Sequence, residues 1–175
     1  MVSGKDSNVM VWLAFKAFYG KIPFPLVHVD TGKKFSEMYD FRDKFEKKWK
    51  LNLIKGFCPP IEQIDSSLPP AARSAARKTE GLKTIIKEKK FMGIIAGIRR
   101  DEQGTRAKER IFNPRDESGT WNVKNQPPEF WDQSNLKFPK SVHVRIHPLL
   151  GWTELDIWQY IKQEKIPVVD LYFSK

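Results

Sequence analysis

At 175 residues, with 40% apolar and 13% aromatic content, the chain is long enough to bury one sizeable core and is expected to fold as a single domain. Its 31 Lys and Arg against 21 Asp and Glu leave a formal charge of +10, which calls for an anionic partner: nucleic acid, a membrane surface, an acidic protein or a small polyanion such as a nucleotide. One cysteine, Cys58, excludes an internal disulfide and a Cys-based metal cluster, and no apolar run is long enough to span a bilayer, so a cytoplasmic protein with Cys58 as a buried thiol is expected.

Ser3, Gly4, Lys5, Asp6 and Ser7 make a polar turn directly before an apolar stretch whose spacing predicts a helix over 9–19. Such a turn suits phosphate. The unpaired N–H groups of a helix's first turn point at one spot, the helix dipole favours an anion there, and glycine lets the backbone come close. Lys5 adds a cation and Ser7 a hydroxyl, although the same residues also serve ordinary N-cap chemistry. Residues 24–29 are a short apolar run between Pro23 and Asp30-Thr31-Gly32, the pattern of a buried strand ending in a turn. Phe35, Met38, Phe41 or Arg42, Phe45 and Trp49 then recur at helical spacing, predicting an amphipathic helix over 36–49, with a brief strand at 51–54. Alternating strands and helices imply parallel β-α-β units and an α/β fold: an open, mostly parallel twisted sheet with helices on both faces. Ligands of such folds sit beyond the carboxyl ends of strands, where the turns at Ser3 to Ser7 and at Asp30, Thr31 and Gly32 are both expected.

Residues 56–77 carry four prolines and no sustained periodicity, and are expected to be a long loop with at most a turn of helix. Leu82, Ile85 and Ile86 mark a helix over 79–89, followed by an apolar strand over 91–98. Directly after it, Arg99, Arg100, Arg106, Lys108 and Arg110 place five cations at or just past a strand end. They read either as a solvated helix with i,i+4 pairs such as Glu102 with Arg106, or as a set of groups suited to a multiply charged oxyanion. Residues 111–140 are a polar, Pro- and Trp-containing insertion with no assigned chemistry. A strand follows at 141–146. Thr153 with Asp156 is a capping-box signature opening a helix that ends near Glu164. The histidines His28, His143 and His147 lack metal-site spacing and are expected to be satisfied or solvent-facing, and no nucleophile–base pair is visible.

Taken together, these stretches resemble the small-subunit family of two-component bacterial ATP sulfurylases, sulfate adenylyltransferase subunit 2, in the PP-loop superfamily. The loop Ser3 to Met10 is similar to the family's pyrophosphate loop, the run from Phe24 to Gly32 to its second motif, and Lys78 to Lys83 to a third. Arg99-Arg100-Asp101-Glu102 with Arg106-Ala107-Lys108-Glu109-Arg110 is the most specific match; Trp152-Thr153-Glu154, the run from Asp156 to Ile161 and Leu171-Tyr172 complete it. The resemblance implies a PP-loop, adenine nucleotide alpha hydrolase-like fold and transfer of AMP from ATP to sulfate, giving adenylyl sulfate and pyrophosphate in sulfate assimilation, with a GTPase large subunit as partner. It implies that Ser3, Gly4, Lys5, Asp6 and Ser7 hold the departing pyrophosphate, that Asp30, Thr31 and Gly32 border the nucleotide, with Asp30 acting through Mg²⁺ and its waters, and that Arg99, Arg100, Arg106, Lys108 and Arg110 meet sulfate and the phosphates. Lys5, Arg99 and Arg100 are the implied catalytic groups.

The family's loop begins with Ser where this chain has Val2, and its lead-in helix, first strand and C-terminal tail have no counterpart here. The expectation is therefore a single, partial nucleotide-binding domain over 1–175, with the first strand largely missing and little turnover on its own. The related phosphoadenylyl-sulfate reductases share the loop and the Asp-Thr-Gly turn and are the alternative enzyme; an inactive relic or a basic binding module are the others. Nucleic acid is disfavoured as a ligand because no recognition motif with interleaved aromatics is visible.

Overall fold

The computed structural model describes residues 4–116, 119–126, 128–130, 133–134, 137–138 and 143–173, in two compact units. One is chiefly Leu13–Lys90, the other Lys5–Trp12 with Phe91–Pro167.

In the first unit, β1 (Leu26–Asp30) and β2 (Leu53–Phe57) pair in parallel, from Leu26 opposite Leu53 to Asp30 opposite Phe57, with α2 (Ser36–Lys48) as the crossover. This is the β-α-β unit expected from the alternation of apolar runs. Helix α2 lies where its period places it, and it stacks Phe41 on Phe45 and Phe45 on Trp49 at 4.5 and 4.8 Å between ring centres. The core here includes Phe45, Leu51, Ile64, Ile85 and the thiol of Cys58, which is buried as expected.

Helix α3 (Pro70–Lys89) corrects the expectation of a loop through residue 77. Pro70 is a favourable first helical residue because its φ is preset and its missing N–H has no helical partner. Ala71, Ala72, Ala75 and Ala76 then favour helix by propensity without writing an apolar stripe, so a search for periodicity passes over them. Gly81 lets α3 approach the strands: a Cβ there would stand 3.2 Å from the Cα of Cys58 and from Cγ1 of Val29.

In the second unit the sheet order is β3-β7-β4, with β3 (Gly93–Ile95) parallel and β4 (Phe112–Arg115) antiparallel to the central β7 (His143–Ile146). Strand β3 is shorter than the predicted eight residues, and β4 arises inside the stretch read as an insertion. A two-residue pair, β5 (Glu129–Phe130) with β6 (Gln133–Ser134), lies in the same stretch. Helix α4 (Glu154–Glu164) opens on the predicted capping box: the Thr153 side chain accepts from the Asp156 N–H, and the Asp156 carboxylate accepts from the Thr153 N–H at 2.7 Å. Val9, Leu149, Leu150 and Ile157 are fully buried core residues of this unit. No described helix is long and apolar enough to cross a membrane.

Candidate functional site

Helix α1 (Lys5–Ala17) begins four residues earlier than its apolar periodicity indicates. Lys5, Asp6 and Ser7 are thus its first turn rather than a turn ahead of it, with Gly4 as an extended N-cap, φ −92° and ψ 149°. Gly4 has no side chain with which to cap these first-turn N–H groups. Asp6 favours the helix at this end by opposing the positive pole of its dipole. Ser3 lies outside the described residues.

The first turn is tied to the end of β3 and to α4 through Arg99. This guanidinium is 3% exposed, donates from Nε to Asp101 at 2.8 Å and from Nη2 to Glu154 at 2.7 Å, and pairs with Asp6. Lys5 reaches the same Glu154 at 3.1 Å and Asp6 at 3.0 Å. Asp101 in turn accepts the N–H of Glu154 at 2.6 Å. Burial alone would raise the Glu154 carboxyl, but hydrogen bonds from Lys5 and Trp158 outweigh it and hold the group below 4.5. Gly97 makes the approach possible, since a Cβ there would stand 3.1 Å from Met10 Cγ and 3.3 Å from the Asp6 carbonyl oxygen. The structure therefore brings Lys5, Asp6 and Arg99 together with Asp101 and Glu154.

The other cations of the block are dispersed. Arg100 is exposed and donates to the Glu109 carbonyl at 3.1 Å. Arg106 pairs with Glu102 at 3.2 Å, as the i,i+4 reading expects. Lys108 is exposed, and Arg110 is half-buried with its carbonyl against His147.

In the other unit, Asp30, Thr31 and Gly32 form a turn at the carboxyl end of β1. Asp30 Oδ1 accepts from the Gly32 N–H at 2.9 Å and from the Tyr39 hydroxyl at 2.8 Å, and Oδ2 lies 3.9 Å from Arg42. Burial would raise this carboxyl, but those donors outweigh it and keep the group below 3.8. Gly32 has φ +69°, a left-handed conformation that glycine adopts without strain. The Thr31 carbonyl accepts from Arg77 at 3.2 Å. Among the described residues no three His, Cys, Asp or Glu side chains form a metal-binding group.

The family model of the phosphoadenosine phosphosulfate reductase domain matches residues 1–175. The chain belongs to this family.

Within it, the chain is 49% identical over 178 residues to sulfate adenylyltransferase subunit 2 of Sulfurimonas denitrificans and 49% identical to that of Proteus mirabilis, alignments that take 98% of this chain and 58% of each relative. It thus spans a little over half the length of the curated relatives it matches. Among solved structures, the phosphoadenylyl-sulfate reductase of Candida auris in its phosphate complex superposes with a TM-score of 0.62 at 16% identity, covering 98% of this chain and 74% of that one. The FMN adenylyltransferase of Candida glabrata in complex with ATP gives 0.61 at 18% identity, covering 98% and 47%. At such identities the likeness is one of fold, and it agrees with the α/β class expected.

Several groups that this family member buries were missed by sequence reasoning. His28 is 0% exposed and accepts from Lys34 Nζ at 2.8 Å on Nε2, while Nδ1 has no partner among the described residues. Burial and then Lys34 push its pKa down to about 4. His147 is also 0% exposed, and its Nε2 has no partner among the described residues. The expectation of satisfied or solvent-facing histidines thus holds at one ring nitrogen of each and not at the other. Their burial could have been read from their place within apolar runs, but the missing partners could not.

Proposed function

We propose that this chain is the adenylyl-transferring part of a sulfate adenylyltransferase, moving AMP from ATP to sulfate. The observation that carries the reading is the identity of 47–49% along 98% of the chain with proteins named for that activity. A sulfate oxygen attacks the α-phosphorus, the new P–O bond forms in line with the breaking one, and pyrophosphate leaves. Sulfate carries no proton to remove, so the reaction asks for positioning and charge stabilisation rather than a general base.

In this reading Lys5 and the first-turn N–H groups at Gly4 to Ser7 take the leaving pyrophosphate, a role favoured by a helix start whose N-cap, Gly4, carries no side chain. Lys5 would exchange Glu154 and Asp6 for phosphate oxygens. Arg100, exposed and linked to a carbonyl, is better placed to reach an anion than Arg99, whose donors already meet carboxylates. Thr31 and Gly32 would border the nucleotide. Asp30, a single carboxylate kept ionised, fits the waters of a Mg²⁺ ion carried by ATP rather than a site that holds the ion by protein ligands alone. The partner would be a GTPase large subunit and the setting cytoplasmic.

Pyrophosphate release from ATP, assayed with sulfate and with the large subunit present, tests the reading. Lys5→Ala should reduce the rate by about 100-fold or more, since it removes a charge that acts on the leaving group. Near-normal release by that variant would sink the role of Lys5. The reductase alternative, which the family model keeps in view, predicts thiol-dependent sulfite release from phosphoadenylyl sulfate instead.

A further inference from the structure

The sheet β3-β7-β4 has a polar face where a central strand would ordinarily be apolar. Its register sets Asn113 opposite Arg145 and Arg115 opposite His143, so these four side chains share one face of the β4–β7 pair. His147 follows two residues after Arg145 on the same side, and its N–H continues the ladder to the Ile111 carbonyl at 2.8 Å. Asn113 and His147 are 0% exposed and Arg115 is 8% exposed, whereas His143 and Arg145 are half-buried and leave the face a way in from solvent.

Glu109 stands at the centre. It accepts from Asn113 Nδ2, meets Arg115 Nη2 at 3.3 Å and lies 3.9 Å from His147 Nδ1. Glu109 thus pairs with the Arg115 guanidinium and attracts that of Arg145. Burial lowers the pKa of both, and each repels a further arginine, Arg115 repelling Arg145 and Arg145 repelling Arg106. A surplus of buried positive charge is expensive unless something negative completes it. Hydrogen bonding is incomplete in the same place. Arg115 Nε, Arg145 Nε, Asn113 Oδ1 and His147 Nε2 are buried with no partner among the described residues. Arg115 is further fixed by lying 5.1 Å over the Trp121 ring.

We propose that this face binds a tetrahedral dianion. Arg115 and Arg145 supply the charge and the planar N–H forks, Glu109 orients Arg115 and Asn113, and water meets the acceptors on Asn113 and His147. The inference rests on the transfer reading only for naming the natural ligand, free inorganic sulfate; a phosphate of a bound nucleotide has the same chemistry.

Calorimetric titration of the chain with sodium sulfate, against sodium chloride at matched ionic strength, tests it. One sulfate per chain is expected, with binding weakened about ten-fold or more in Arg145→Gln while the sulfate-free melting temperature is kept or raised, because a desolvated cation has been removed. If Arg145→Gln does not fold, Arg145→Lys keeps the charge but not the fork and should bind several-fold more weakly. No sulfate-specific heat in the wild type, or wild-type binding by the folded variant, would overturn the site. Adding ATP separates the sources: additive heats assign the face to free sulfate, and competition assigns it to a nucleotide phosphate. Sulfate binding without sulfate-dependent pyrophosphate release would remove the transfer reading and leave the site. Release by Arg145→Gln with an unchanged sulfate KM would do the opposite.

Discussion

Arg99 shows how far a residue's type can be from its occupation. The sequence places it at the head of a cationic block aimed at an anion, yet its guanidinium is 3% exposed and shared by Asp6, Asp101 and Glu154. Its contribution is to hold the first turn of α1 against the start of α4. Replacing it with Met would leave Asp6, Asp101 and Glu154 grouped with Lys5 as their remaining cation, and should cost roughly 3 kcal/mol in a denaturant titration. A loss within about 0.5 kcal/mol would mean that solvent does the work instead. The buried histidines make a pH prediction. Because His28 and His147 are each pushed from 6.5 to about 4, the unfolded chain binds more protons than the folded one between those values, so stability should fall as pH drops from 6.5 towards 4 and these groups should add no further loss below that. Asp30 acts on the next limb: held below 3.8, it stabilises the fold above that value and loses its contribution as pH falls through its lowered pKa. A His28→Gln variant should flatten the upper part of the profile; an unchanged slope would contradict the burial argument.

Among the elements, helices with an apolar stripe were legible and those without one were not. Helix α2 follows from its aromatic period, and α4 from Thr153 and Asp156, whose reciprocal hydrogen bonds the structure contains. Thr153→Ala should cost about 1 kcal/mol by thermal or chemical unfolding, the usual worth of an N-cap. The alanine-built start of α3 was missed for lack of periodicity. Strand β4 was missed because antiparallel pairing with β7 joins residues some 30 positions apart, which no local pattern records. That miss hid Asn113 and Arg115 in a stretch given no chemistry, and with them the polar face they share with Arg145. Gly97 lies within the run expected as a strand over 91–98, and what approaches it is the backbone of Asp6. Gly97→Ala would push against a main-chain oxygen that cannot rotate away, and should destabilise by about 1–3 kcal/mol while displacing Lys5. A stable variant with unaltered nucleotide binding would show that the helix start tolerates the shift.

At the scale of the molecule, a formal charge of +10 left the anionic partner open between macromolecules and small anions. The family model that matches residues 1–175 shows the family, and the loop, the Asp-Thr-Gly turn and the arginine block are the stretches in which the resemblance was legible. Residue roles were less legible than ancestry: the same cationic block yields a buried strut in Arg99, exposed cations in Arg100 and Lys108 and an i,i+4 pair in Arg106, distinctions set by tertiary packing. The transfer reading is tested most directly by following label from ATP marked in its α-phosphate, with sulfate and the large subunit present. Adenylyl transfer to sulfate predicts label in adenylyl sulfate, one pyrophosphate for each, and none of either when sulfate is omitted. Label that never leaves ATP, alongside thiol-dependent sulfite release from phosphoadenylyl sulfate, would contradict it.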